Sequence, residues 1–106
     1  MALEITNLRM IAAMRGGKGP GAESSILKIK GSEIQQRLTE LAMEAVGPYA
    51  APFQREALEE GWNEEPIGPG YAAPLAPHYF NYRKVSIYGG SNEIQKNVIS
   101  KMMLGL

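Results

Sequence analysis

Apolar residues recur along this chain with the period of a helix, in segments cut apart by glycine and proline. Over about residues 2 to 14, Leu8, Ile11 and Ala12, joined by Leu3 and Ile5, share one helical face. Arg15-Gly-Gly-Lys-Gly-Pro-Gly21 ends that helix, because a run of glycines with a proline cannot sustain it. The strongest helical pattern covers about residues 22 to 47. There Leu27, Ile34, Leu38, Leu41 and Ala45 stand seven, four, three and four apart and form one stripe. Glu23 suits the positive end of the helix dipole, and Gly47-Pro48 closes the element. So narrow a stripe predicts packing against other helices, since an isolated helix of this kind is marginal in water.

Residues 48 to 77 predict a long irregular segment, rich in proline and glycine, in which Phe53 to Glu60 have the pattern for two helical turns. Trp62 and the nearby tyrosines are expected to anchor it onto the helices. A loop this long inside a compact domain is often functional or covers something. Glu56, Glu59, Glu60, Glu64 and Glu65 lack the ligand spacing of a calcium loop and read as a solvated face, so no metal site is expected. Farther on, HYFNYRKVSIY is compatible with a short helix or an extended segment leading into Gly89-Gly90. Ser91 then occupies an N-cap position, and Asn92 to about Leu104 predict a last helix that buries Ile94, Val98, Ile99 and Met102 and stops at Gly105.

Composition narrows the functional classes. A length of 106 residues suits one domain over 1–106, and the pattern makes it all-α with an irregular loop at about 48–77. Eleven basic residues balance eleven acidic ones, so no net field draws the chain to nucleic acid or anionic lipid. The absence of cysteine excludes disulfides, zinc-thiolate sites and cysteine nucleophiles, and fits a reducing compartment. MALEITNLRM has no apolar run of signal-peptide type, and no stretch approaches the roughly 20 apolar residues of a membrane span. A soluble, cytoplasmic protein is the expectation.

Candidate chemistry concentrates in Ile87-Tyr-Gly-Gly-Ser-Asn-Glu-Ile-Gln95. Paired glycines admit positive φ and close approach of a ligand, and Ser91 with the free N–H groups of the next turn supplies donors at the positive end of a helix. A phosphate, a pyrophosphate or a carbonyl oxygen suits such a corner. A plain glycine-to-helix cap accounts for the same residues. The glycine run at 15–21 lacks both a Walker pattern and a preceding strand and reads as a turn. His78 has no evident nucleophile or metal partner in the sequence. Arg83 and Lys84 suit either a ligand phosphate or ion pairs with the acidic loop.

IYGGSNEIQKNVISKMMLGL resembles the carboxy-terminal signature of the acyl-CoA dehydrogenase family. ESSILKIKGSEIQQRL with LAMEAVGPYA resembles the long helix before it in one branch, and HYFNYRKVSIYGG resembles the approach to the signature. NLRMIAA with its Gly/Pro turn extends the likeness over roughly residues 5 to 106. The resemblance implies a helical hairpin, or partial four-helix bundle, from the carboxy-terminal domain of an FAD enzyme. In such enzymes a carboxylate takes the α-proton of an acyl-CoA thioester while the β-hydrogen leaves as hydride.

Carried over by position, the usual glutamate base falls on Gly89, so no catalytic residue is expected in this chain. Gly90 would lie against the acyl-CoA substrate, and Ser91, Asn92 and Glu93 would contact FAD, whereas Gln95 fits the signature with a structural role. A second FAD contact of the family, Gln-x-x-Gly-Gly, reads Glu44-Ala-Val-Gly47-Pro48 here; the carboxylate repels a pyrophosphate and the proline removes a donor. The family's habits imply a homo-oligomer. The resulting expectation is a carboxy-terminal piece of an acyl-CoA dehydrogenase, inactive alone. The alternative is a stand-alone helical assembly module, or a subunit completing a flavoprotein site in trans.

Overall fold

Four α-helices and three 3₁₀ turns follow one another with no β-strand, in a computed structural model that describes residues 1–106. The helices are α1 (Ala2–Arg15), α2 (Glu23–Val46), α3 (Leu75–Asn81) and α4 (Asn92–Leu104). The 3₁₀ turns cover Gly47–Ala50, Glu56–Leu58 and Tyr82–Ser86. The chain forms two compact units, Met1–Ile34 with Val85–Leu106, and Gln35–Lys84.

In the first unit, α1 stops where the glycines predict. Lys18 N–H donates to Ala13 O at 3.2 Å and Gly17 N–H to Met14 O at 3.0 Å, with Gly17 at φ +88°. This pattern is a Schellman closure, in which a left-handed residue lets the chain fold back on the last carbonyls. The face of α1 differs from the expected one. Leu3, Thr6 and Met10 are half-buried, whereas Ile5, Leu8, Ile11 and Ala12 are exposed. α4 begins and ends as read: Ile94 N–H donates to Ser91 Oγ at 3.3 Å, and Gly105 closes the helix at φ +70°. Val98 and Ile99 are half-buried as predicted. Ile94 and Met102 are not, and Gln95 takes an inward place instead.

α2 supplies residues to both units and carries the largest departure from expectation. Its inward line starts from Ala22 just before the helix and continues through Ser25, Ile29, Ser32, Gln36, Thr39, Met43 and Val46, all buried except the half-buried Gln36 and Met43. These positions alternate three and four apart, a seam of heptad type. The predicted stripe of Leu27, Ile34, Leu38, Leu41 and Ala45 lies on the opposite side of the helix. Leu27 is half-buried, and the other four are exposed. Along α2 the chain thus turns many small and polar residues inward and leaves most of the apolar stripe exposed.

In the second unit, Gln36 joins α2 to the turn after α3. Its Nε2 donates to Tyr82 O and Arg83 O at 3.3 and 3.2 Å, and Arg83 Nη2 donates back to Gln36 O at 3.2 Å. The segment between α2 and α3 is tied down by Gln54, which accepts from Ile67 N–H at 2.8 Å and donates to Ile67 O at 3.3 Å. The Tyr49 ring lies so close over Gly68 that no Cβ fits there. Trp62 is half-buried, while Tyr49 and Tyr71 are exposed, so aromatic burial is a smaller part of the anchoring than expected. Of the two turns expected over Phe53 to Glu60, a single 3₁₀ turn forms at Glu56–Leu58. α3 begins at Leu75, inside the segment expected to be irregular, and runs on through His78–Asn81, where a short helix or an extended segment is expected.

Candidate functional site

The corner Gly89-Gly90-Ser91-Asn92-Glu93 belongs to the first unit and is built by a change of backbone sign. Gly89 and Gly90 stand at φ +68° and +86°, in the left-handed region, and Ser91 returns to φ −60°, ψ 157° as the N-cap of α4. Two consecutive left-handed residues explain why both positions are glycine. Around Gly89 the space that a side chain would enter is open. At Gly90 a Cβ would meet Nε2 of Gln95, whose side chain covers that face of the glycine.

Donors converge at this helix start. The Ser91 oxygen accepts from Ile94 N–H, which leaves its own O–H available as a donor. The N–H groups of Asn92 and Glu93 belong to the first turn and have no intrahelical acceptor. Glu93 is exposed, and an ionised carboxylate only accepts, so it suits a hydroxyl or amino group of a ligand rather than its phosphate. The residues present therefore fit a ligand with both phosphate and sugar or base functions.

The Asn92 side chain is turned toward α2. Its Oδ1 accepts from Lys28 Nζ at 2.8 Å, and its Nδ2 donates to Ser32 Oγ at 3.0 Å. Ser32 is buried and donates in turn to Ile29 O at 2.8 Å. Sequence reasoning missed Lys28 and Ser32. They lie four apart on one helix but 64 and 60 residues from Asn92, and periodicity carries no information about such a pairing.

Other residues read as candidates have occupations elsewhere. The Arg83 guanidinium lies over the Tyr79 ring at 4.2 Å and donates through Nε to Tyr79 O at 3.4 Å, besides its bond to Gln36 O. His78 stacks on Tyr82 with centroids 4.2 Å apart. Glu56, Glu59, Glu60, Glu64 and Glu65 are exposed, and no three acidic or histidine side chains converge as metal ligands. Glu44, Gly47 and Pro48 belong to the second unit. There Glu44 lies 3.8 Å from Arg37 Nη1, and Gly47 turns the chain at φ +55° into the 3₁₀ turn. Glu44 and Gly47 border an apolar groove of about 700 Å³ whose walls include Met43, Phe53, Pro77 and Phe80. The acid and the proline do not fit a pyrophosphate.

The family model described as acyl-CoA dehydrogenase, C-terminal domain, matches residues 1–104, and the chain belongs to that family. No curated protein and no solved structure matches it. No helix is long and apolar enough to cross a membrane.

Proposed function

We propose that this chain serves as the carboxy-terminal helical part of an FAD-dependent acyl-CoA dehydrogenase and supplies one edge of its flavin site. The observation that carries this reading is the Gly89–Glu93 corner, with two left-handed glycines followed by a helix start capped by Ser91. The Ser91 hydroxyl and the Asn92 and Glu93 amides would donate to the cofactor, and the Glu93 carboxylate would accept from its hydroxyl or amino groups. Gly90 would face the acyl-CoA thioester on the side not covered by Gln95. FAD, when bound, supplies the hydride acceptor of an α,β-dehydrogenation.

The proton-abstracting carboxylate comes from outside these residues, because Gly89 offers no side chain and Glu93 is reserved for the cofactor. Alone, the chain is inactive. The exposed stripe of α2 supports this reading from a second direction, since apolar faces of that kind are partner surfaces in an assembled bundle. A homo-oligomer, or helices contributed by the rest of the enzyme, would cover them.

Calorimetry and flavin fluorescence with the purified chain test the reading. At about 100 µM FAD, the micromolar binding of a complete site is expected to be absent, as is acyl-CoA oxidation. Tight saturable binding abolished by Ser91→Ala would displace this reading in favour of a stand-alone module that completes a flavin site across subunits.

A further inference from the structure

We infer that Lys28 and Ser32 are positioning residues for the first turn of α4, acting through the side chain of Asn92, so that Asn92 offers a ligand its main-chain N–H alone. The ligand part of this inference rests on the proposed flavin reading; the positioning itself does not. The hydrogen bonds join Lys28, Ser32 and Asn92 in one network across the two helices. The Ser32 hydroxyl lies 2.8 Å from Ile29 O, the back-bond usual for a helical serine, and 3.3 Å from Asn92 Oδ1, and its oxygen accepts from Asn92 Nδ2 at 3.0 Å. Asn92 Oδ1 then faces the Lys28 ammonium, a charge-assisted contact of 2.8 Å.

The preceding segment has little stiffness of its own. Ile87, Tyr88, Gly89 and Gly90 are all exposed, and the two glycines carry left-handed φ. The direction in which Ser91 and the first-turn amides point is therefore fixed from the α2 side, through the Asn92 side chain and its bonds to Lys28 and Ser32. Lys28 also places a positive charge behind the positive end of α4, and Asn92 Oδ1 is the acceptor that makes this arrangement tolerable.

Amide hydrogen exchange followed by NMR on this chain tests the tether without a cofactor. Lys28→Met and Asn92→Ala should each speed exchange at Ile94 and Gln95, on the order of five- to tenfold, as loss of one charge-assisted bond implies. The double variant should exceed neither single one, and Lys28→Arg should restore most of the protection. FAD added to millimolar concentration should then shift the backbone amides of Asn92 and Glu93 and leave the Asn92 side-chain NH₂ signals in place. Additive effects of the two substitutions would overturn the inference. So would an Asn92 side chain that responds to FAD while Lys28→Met leaves exchange unchanged. If FAD shifts no signal of α4 while the Lys28–Asn92 coupling holds, the flavin reading fails and the positioning role stands.

Discussion

Gly89 and Gly90 share a left-handed backbone but differ in what surrounds them, and that difference is measurable. Adding a Cβ at Gly89 incurs the left-handed penalty of about 1–2 kcal/mol and meets nothing. At Gly90 the same penalty applies, and the Gln95 amide must move as well. Urea unfolding should therefore rank Gly90→Ala as more destabilising than Gly89→Ala; the reverse order would contradict the described corner. Gly89→Glu should cost no more than the alanine and should not create acyl-CoA oxidation in this chain. Ser91→Ala should cost about 1 kcal/mol through the lost N-cap. At this scale the sequence was readable, because glycine pairs and a capping serine have local mechanisms. Lys28 and Ser32 were not, because their pairing with Asn92 exists only once α2 and α4 are folded together in their unit.

Element boundaries were legible, but the inward faces were less so. α2 runs from Glu23 to Val46, within a residue or so of the expected span, yet it turns Ser25, Ser32 and Thr39 inward and Ile34, Leu38 and Leu41 outward. Hydrophobic periodicity finds the most apolar side of a helix and not the side that contacts this chain's other helices. Small residues allow close helix approach, and their hydroxyls bond back to the helix, as Thr39 does to Gln36 O at 2.8 Å. The start of α3 at Leu75, ahead of the short helix that the stretch from His78 allows, was hidden for another reason. Pro74 and Pro77 read as breakers, but Pro74 is the N-cap and Pro77 lies in the first turn, where no intrahelical N–H is needed. The two faces of α2 should respond in opposite ways. Ser32→Leu should overpack the inward line and cost about 1–3 kcal/mol in urea unfolding. Leu38→Gln with Leu41→Gln should leave helix content by circular dichroism nearly unchanged and weaken self-association.

For the molecule as a whole, burial is the limiting quantity. The buried apolar residues are Ala22, Ile29, Val46, Ala72, Ala73 and Val85, and no large side chain is fully buried, while Leu8, Leu38, Phe53, Phe80 and Met103 are among the many exposed apolar ones. An ordinary soluble monomer does not leave so much large apolar surface uncovered, and association is the physical remedy. Light scattering at micromolar concentration should find a homo-oligomer, which the Leu38/Leu41 double variant shifts toward monomer. A monomeric wild-type chain would count against the need for partners. The central claim concerns the Gly89–Glu93 corner, and a backbone-amide NMR titration with FAD tests it most directly. The account predicts weak shifts concentrated between Gly89 and Ile94, still unsaturated at about 100 µM and diminished by Ser91→Ala. Shifts confined to the apolar groove around Phe53 and Phe80, or no response of α4 even at several millimolar FAD, would contradict it.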